Sequence, residues 1–141
     1  MFQKDMIAPC GLNCGLCASV LENDPPCPGC RGSGEGKPEF CSKICQVIHC
    51  ETYLSHPDGF CDTCPQYPCG EIMEREIRYA NAYPMMESPI GNLAYLRQEG
   101  IDRLLEREER RWTCACGGTI CVHTGICSQC GTQYRSTQAA K

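Results

Sequence analysis

Residues 10–17 read CGLNCGLC and place three thiols close together, at the spacing C-x3-C-x2-C. Sulfur at this density suits a zinc site, an iron–sulfur cluster, a disulfide crosslink or a redox couple. The rest of the chain continues the pattern, since 16 of its 141 residues are cysteine, far above ordinary usage. The fold therefore depends on what these sulfurs bind.

The apolar content is too small to stabilise a fold by itself. Aromatic residues make up 7% of the chain, and cysteine supplies a sizeable share of the 42% that counts as hydrophobic. A domain with so little core usually needs covalent or metal crosslinks. The first residues, MFQKDMIAPCG, contain no apolar signal segment, and no stretch approaches the roughly 18 apolar residues of a membrane span. We therefore expect a cytoplasmic protein without a membrane span, whose reduced cysteines bind metal in preference to forming disulfides.

The formal net charge of −4, with the thiols neutral, narrows the choice of partner. A zinc ion bound by four thiolates is a unit of about −2, so occupied sites make the chain more acidic. A protein that binds nucleic acid usually presents a basic surface, and the charge therefore argues against DNA or RNA. Another protein is the partner that the sequence favours.

The cysteines fall into two blocks, which define the predicted domains. Eleven lie between Cys10 and Cys69, five lie between Cys114 and Cys130, and the 44 residues between the blocks contain none. This distribution predicts a zinc-knot domain over 1–70, a helical segment over 71–111, a zinc ribbon over 112–135 and a tail over 136–141. The predicted fold class is a small metal-stabilised α+β protein with an irregular, zinc-knuckle N-terminal part.

The helical segment carries start and stop signals. In ESPIGNLAYLRQEG, Ser88 is a predicted N-cap, Pro89 suits the first helical position, and Gly100 follows the last turn. In the preceding stretch, 70–83, an apolar stripe is predicted at Ile72, Met73, Ile77 and Ala80. The next stretch, IDRLLEREERRW, predicts a helix with a solvated Arg/Glu face and with inward residues Ile101, Leu104, Leu105 and Trp112.

Two pairs of C-x2-C turns form the first candidate metal site. Tetrahedral zinc takes two ligands from each of two tight turns, which matches Cys14 with Cys17 and Cys27 with Cys30. Cys10 is a rival ligand for the same ion or a ligand of the next one. Glycines within these turns, such as Gly29, free the backbone N–H groups to point at sulfur.

A second candidate site combines a C-x3-C pair with a C-x2-C pair. Its predicted ligands are Cys41, Cys45, Cys61 and Cys64, and Cys69 is a possible replacement for one of them. Residues 41–54 are predicted to include a short helix with Ile44, Val47, Ile48 and Leu54 on one side. Cys50, within that helix, is interpreted as a small buried apolar residue.

The third candidate site lies in the C-terminal segment WTCACGGTICVHTGICSQCGTQY, which predicts a β-ribbon between glycine turns. Its predicted ligands are Cys114, Cys116, Cys127 and Cys130. Because Cys114 and Cys116 are separated by one residue instead of two, Cys121 or His123 is a possible substitute ligand. Three sites predict about three zinc ions per chain. An iron–sulfur cluster is the alternative cofactor, because thiolates suit both metals.

The order of motifs resembles a known prokaryotic cysteine-rich family, catalogued as domain of unknown function 3795. The resemblance rests on IAPCGLNCGLCAS, CPGCRG, FCDTCPQYPC, NLAYLRQEGIDRLLEREERRWTC and CSQCG, and spans residues 7–131. It implies a metal-binding cytosolic protein, presumed to take zinc, and no assigned activity. The thiols that match the family's recurring cysteines are Cys10, Cys14, Cys17, Cys27, Cys30, Cys45, Cys61, Cys64 and Cys69. The Cys114–Cys116 spacing departs from the family's usual C-x2-C, and Cys50 and Cys121 are additional.

Histidine is scarce, and no Ser/His/Asp set is visible, so the sequence favours a non-enzymatic role. The leading prediction is a zinc-binding protein with structural four-cysteine sites that acts as a protein-interaction or scaffold module. The alternatives are a metal-dependent or thiol-based enzyme or sensor, and an iron–sulfur electron-transfer protein. Four thiols beyond the twelve of three full sites keep these alternatives open.

Overall fold

The structure is a computed structural model that describes residues 2–32, 35–39, 41, 45, 47–55 and 59–135. The predicted tail at 136–141 and the predicted helical position Ile44 lie outside these residues. Five α-helices are described: α1 (Ala18–Leu21), α2 (Glu51–Ser55), α3 (Gly70–Asn81), α4 (Pro89–Glu99) and α5 (Ile101–Trp112). No helix within the described ranges is long and apolar enough to cross a membrane.

The predicted boundaries of α4 are confirmed. Ser88 is its N-cap and accepts a hydrogen bond from the Gly91 N–H at 2.8 Å, and Pro89 is its first residue. Gly100 ends the helix at a φ of +93°, a conformation that favours glycine, and α5 begins at the next residue. The short connection brings α4 and α5 against each other.

Helix α3 presents a different face to the core from the predicted stripe. Ile72 is buried as predicted, but Met73 and Ile77 are exposed. The inward face instead carries Arg75 and Tyr79, both less than a tenth exposed. The predicted stripe was wrong because it counted apolar residues only, whereas this face meets the Cys45 thiol, which accepts from Arg75, and the His123 ring, which contacts the Tyr79 hydroxyl.

Helix α5 buries one carboxylate of its charge run. Leu104 and Trp112 point inward as predicted, but Glu108 is also 0% exposed. Burial and the nearby charge of Glu87 raise the pKa of Glu108 to about 7. Arg111, whose Nη1 lies 2.7 Å from Glu87 Oε1, balances this charge. A fully solvated Arg/Glu face is therefore wrong for this helix.

Three groups of buried residues form the core, and the N-terminal residues 7–16 contribute to each. One group joins Leu16 to Tyr79 of α3 and to Trp112 and Val122 near the C-terminus. The second includes Ala8 and Ile72, and the third joins Ile7 to Leu93, Leu96 and Leu104. The three predicted segments thus share apolar contacts, and their boundaries stay predictions.

The fold is mostly helical with few strands. Within the described residues, β structure consists of isolated bridges such as Thr113 with Thr119 and Ile120 with Cys127. The β-ribbon predicted for 112–135 is therefore present as single bridges between turns. Its chain reverses direction too often for a longer ladder, because the glycine turns follow one another after a few residues.

Candidate metal centre

Four thiols of the C-terminal segment converge on one point. The Sγ atoms of Cys114, Cys116, Cys127 and Cys130 all lie within 4.8 Å of one another. Cys114 Sγ is 3.6 Å from Cys130 Sγ, and Cys116 Sγ is 3.5 Å from Cys127 Sγ. Zinc–sulfur bonds of about 2.3 Å place tetrahedral sulfurs about 3.8 Å apart, so this group can hold a metal ion. We call these four residues the ribbon site.

Two tight turns present the sulfurs of the ribbon site. The first is closed by hydrogen bonds from the Cys114 N–H to Gly118 O and from the Gly117 N–H to Cys114 O, both at 2.8 Å. The second is closed by the Gly131 N–H, which donates to Cys127 O at 3.1 Å. A Cβ at Gly118 would lie 2.7 Å from Cys127 Sγ. The turns can therefore approach each other only because this residue has no side chain.

Backbone N–H groups point at the sulfurs of the ribbon site. The N–H of Gly118 donates to Cys116 Sγ at 3.4 Å. The N–H of Gln129 donates to Cys127 Sγ at 3.3 Å. Such donors stabilise thiolates and orient metal ligands. The donor arrangement therefore fits a bound cation.

The thiols of the ribbon site differ in acidity. Hydrogen bonds from the hydroxyl and the N–H of Thr132 lower the pKa of Cys130 to about 6. The Gly118 N–H lowers the pKa of Cys116, but the hydrogen bond with Cys127 and burial outweigh it and raise the value to about 12. A metal ion that binds here displaces the protons that these thiols still hold.

The two proposed substitute ligands do not take part in this group. His123 Nδ1 accepts the N–H of Ala18 at 3.3 Å, and its Nε2 lies 3.3 Å from Tyr79 Oη. Cys121 is 0% exposed and is not among the converging thiols. Cys114 and Cys116 are therefore both candidate ligands, although only one residue separates them.

The N-terminal thiols line two cavities. The first, of about 370 Å³, is called the thiol cavity and is lined by Cys10, Cys14, Cys17, Cys30, Cys41 and Cys45. The second, of about 320 Å³, is called the aromatic cavity and is lined by Cys50, Cys61, Cys64 and Cys69 with Tyr53, Phe60 and Tyr67. Cys27 lies outside the linings of both cavities. Its Sγ accepts the Gly29 N–H at 3.4 Å, and Gly29 has a φ of +93°, which favours glycine.

This placement differs from the second predicted site. Cys41 and Cys45 line the thiol cavity, whereas Cys61 and Cys64 line the aromatic cavity. Among the described residues, the ribbon site is the one group of three or more potential ligands within 4.8 Å. The two N-terminal zinc sites stay predictions.

Burial raises the pKa of three N-terminal thiols, Cys10, Cys41 and Cys61. Burial and the charge of Cys30 raise the pKa of Cys10 to about 12. Burial likewise raises the pKa of Cys61 to about 12 and that of Cys41 to about 11. These thiols stay protonated at neutral pH unless a cation compensates the charge that ionisation creates.

Two side chains that donate hydrogen bonds to cysteine sulfur were missed in the sequence, and one cysteine was wrongly predicted to be buried. Arg75 Nη2 donates to Cys45 Sγ at 2.9 Å, and Tyr134 Oη donates to Cys114 Sγ at 3.1 Å. Cys50, interpreted as a buried apolar residue, is exposed. An arginine three residues after Ile72 was the available signal for Arg75, because that spacing shares a helix face.

Comparison of the chain with protein-family models, with curated proteins and with solved structures found no match. The resemblance to the cysteine-rich family stays a prediction that rests on the order of its motifs.

Proposed function

We propose that the ribbon site binds one structural zinc ion and that the protein acts as a cytoplasmic protein-interaction module. The observation that carries the metal assignment is the convergence of four Sγ atoms within 4.8 Å. Four thiolates in a closed tetrahedral set are typical of structural zinc, whereas a catalytic zinc keeps one position open. Zinc here holds together a segment that has few apolar side chains of its own.

Elemental analysis tests the zinc assignment. We expect the purified full-length chain to retain zinc, and the Cys116→Ser variant to bind at least about tenfold less tightly at the ribbon site. Cys50→Ser is the matched control, since Cys50 is also an exposed thiol but lies outside this site. Equal zinc content at the ribbon site in wild type and Cys116→Ser would refute the assignment.

Exposed apolar side chains support the interaction role. On α3, Ile77 is 59% exposed and Met73 is 40% exposed, one helical turn apart. Neighbouring apolar residues on a surface favour contact with another protein. The acidic net charge of −4 supports a protein partner over a nucleic acid.

Paired variants on one helix face test the interaction role. Ile77→Gln removes an exposed apolar side chain, whereas Glu74→Gln changes an exposed polar one, and neither is buried. We expect proteins that co-purify with the tagged chain from native cells to be lost from Ile77→Gln and kept by Glu74→Gln. The same set of proteins with both variants would contradict a role for this face.

A thiol-based enzyme or sensor is the second candidate. It is favoured by the exposed thiol of Cys50, which lines an aromatic cavity large enough for a small molecule. A fast-reacting thiol in the zinc-loaded protein, lost in Cys50→Ser, is the result expected for this alternative. Slow modification of every free thiol would exclude it.

A further inference from the structure

The thiol cavity contains more sulfur than one zinc ion uses. Six thiols line its wall, and four ligands complete a tetrahedral site. Two chain segments supply them, with Cys10, Cys14, Cys17 and Cys30 from the first and Cys41 and Cys45 from the second. Thiols from distant parts of the chain are therefore assembled around one cavity of about 370 Å³.

The spacing of these thiols differs from that of the ribbon site. The four ribbon sulfurs lie within 4.8 Å of one another, and no other trio of ligand atoms among the described residues does so. Tetrahedral zinc needs its sulfurs about 3.8 Å apart. In a [4Fe–4S] cluster each cysteine binds a different iron, so the cysteine sulfurs stand farther apart around a filled volume, whereas in a [2Fe–2S] cluster two cysteines share each iron. Of the six thiols, Cys14 and Cys30 lie close enough to hydrogen-bond, and no three converge as the ribbon sulfurs do. Such a set around a cavity fits the ligands of a cluster.

A buried cation faces the same cavity. Arg75 is 5% exposed, and its Nη2 donates to Cys45 Sγ at 2.9 Å. The guanidinium is held in place by Glu71, whose carbonyl oxygen lies 3.1 Å and whose Oε1 lies 3.2 Å from Nη1. A cluster bound by four thiolates carries negative charge, and hydrogen bonds to its sulfurs are one of the means by which proteins set its potential. Arg75 supplies both a compensating charge and such a donor.

A backbone donor adds to this arrangement. The N–H of Cys30 donates to Cys14 Sγ at 3.3 Å. Amide hydrogen bonds to cysteine sulfur favour the ionised ligand that a metal centre needs. The cavity thus offers thiols, a fixed cation and an oriented amide together.

We propose that the thiol cavity binds an iron–sulfur cluster through four of its six thiols, with Cys45 as one ligand and Arg75 as its hydrogen-bond donor. The ligands are separate from those of the ribbon site, so this centre and the structural zinc are separate assignments. The remaining two thiols lie beside the cluster as unligated neighbours.

Metal analysis of the full-length chain tests the proposal. The chain is purified without oxygen, supplied with ferrous iron and sulfide, desalted, and assayed for iron, acid-labile sulfide and zinc. We expect iron and labile sulfide in equal amounts, about two to four of each per chain, with a brown visible absorption. Zinc measured in the same sample reports on the ribbon site, so the two assignments succeed or fail separately. Thiol-cavity cysteines occupied by zinc, with no labile sulfide, would overturn the proposal.

Two variants locate the cluster in the cavity. Cys45→Ser should lower the bound iron about tenfold or more and leave the zinc content unchanged. Cys50→Ser, which changes a thiol of the aromatic cavity, should leave both metals unchanged. Unchanged iron in Cys45→Ser, or an equal loss in both variants, would overturn the placement.

Substitution of Arg75 tests the proposal without removing a ligand, through the reduction potential of the cluster. Arg75→Gln removes the positive charge beside Cys45, so we expect the cluster's reduction potential to become more negative. Arg75→Lys keeps the charge and should restore most of the change. Arg97→Gln is the control, because Arg97 pairs with Asp62 on the surface. A potential that is the same in all three variants and the wild type would refute contact between Arg75 and the cluster.

Discussion

Breaking the ribbon site by Cys116→Ser should unfold the C-terminal segment. A structural zinc contributes about 10–16 kcal/mol at neutral pH in small domains. The segment's two most buried aliphatic side chains, Ile120 and Val122, are 2% and 4% exposed. At about 1.5–3 kcal/mol each they contribute about 3–6 kcal/mol together. A zinc ion at the ribbon site would therefore stabilise the segment more than these side chains do, and the apolar contacts alone do not offset the conformational entropy of ordering the turns.

Trp112 reports on this change, because it is the single tryptophan of the chain. It is 0% exposed and belongs to the same buried group as Cys114 and Cys127. Its carbonyl oxygen accepts the N–H of Ile120 at 2.9 Å, so the ribbon covers the end of α5. We expect the emission of Cys116→Ser to be shifted to longer wavelength, and that of the wild type to shift likewise when a strong chelator is added.

The control for the Trp112 emission experiment is a cysteine variant outside the ribbon site. Cys50→Ser removes a thiol outside the ribbon and should keep the wild-type emission. Readdition of zinc should restore the wild-type spectrum but not that of Cys116→Ser. If the metal-free protein kept the short-wavelength emission of a buried Trp112, apolar packing alone would hold the C-terminal segment in place. The comparison of zinc binding with the burial of Ile120 and Val122 would then be wrong.

Three further predictions concern close packing and buried polar groups. Gly118→Ala should weaken zinc binding at the ribbon site, because its Cβ would lie 2.7 Å from Cys127 Sγ; competition with a chelator measures the affinity. Burial raises the pKa of Glu108 to about 7, so the stability that its protonated form provides should be lost as the pH rises through about 7. Glu108→Gln should flatten that part of the pH profile of thermal unfolding. Asn92→Ala should cost about 1–3 kcal/mol in chemical denaturation, because Asn92 Nδ2 donates to the buried carbonyl of Gly11 at 2.9 Å.

Each of these predictions has a control or a contrary result. Gly70→Ala tests whether alanine is harmful in general, since a Cβ at Gly70 meets nothing within 4 Å. A Glu108→Gln protein with the same dependence on pH as the wild type would assign that dependence to other groups. Asn81→Ala should cost less than Asn92→Ala, because Asn81 is exposed and donates within its own helix.

The features that local sequence determines were predictable. The boundaries of α4 follow from Ser88, Pro89 and Gly100, each of which acts on the backbone within one turn. The ribbon ligands follow from two cysteine pairs in tight turns, since the short chain between the pairs leaves few other ways to combine them. Signals of this kind depend on neighbours in the sequence and not on the rest of the fold.

The grouping of the N-terminal thiols depends on contacts that spacing alone does not determine. A C-x2-C pair is compatible with any partner pair, and which one it meets is set by the packing of residues 7–16 against the helices. Arg75 shows the same limit, because a charged residue on a helix is ordinarily predicted to face solvent. It points inward because the opposite wall carries Cys45, a partner 30 positions away.

The ribbon site and the thiol cavity have different candidate ligands, but the C-terminal segment that carries the ribbon site also contributes to the wall of the cavity. Val122 and Leu16 both line the cavity, and the N–H of Val122 donates to Leu16 O at 2.9 Å. Leu16 lies between Cys14 and Cys17, so unfolding the ribbon removes a support from the segment that holds those thiols. Loss of the ribbon metal should therefore loosen the cavity. Coupling between two binding sites is reciprocal, so a metal bound in the cavity should in turn raise the zinc affinity of the ribbon site, while the zinc content at saturation stays unchanged.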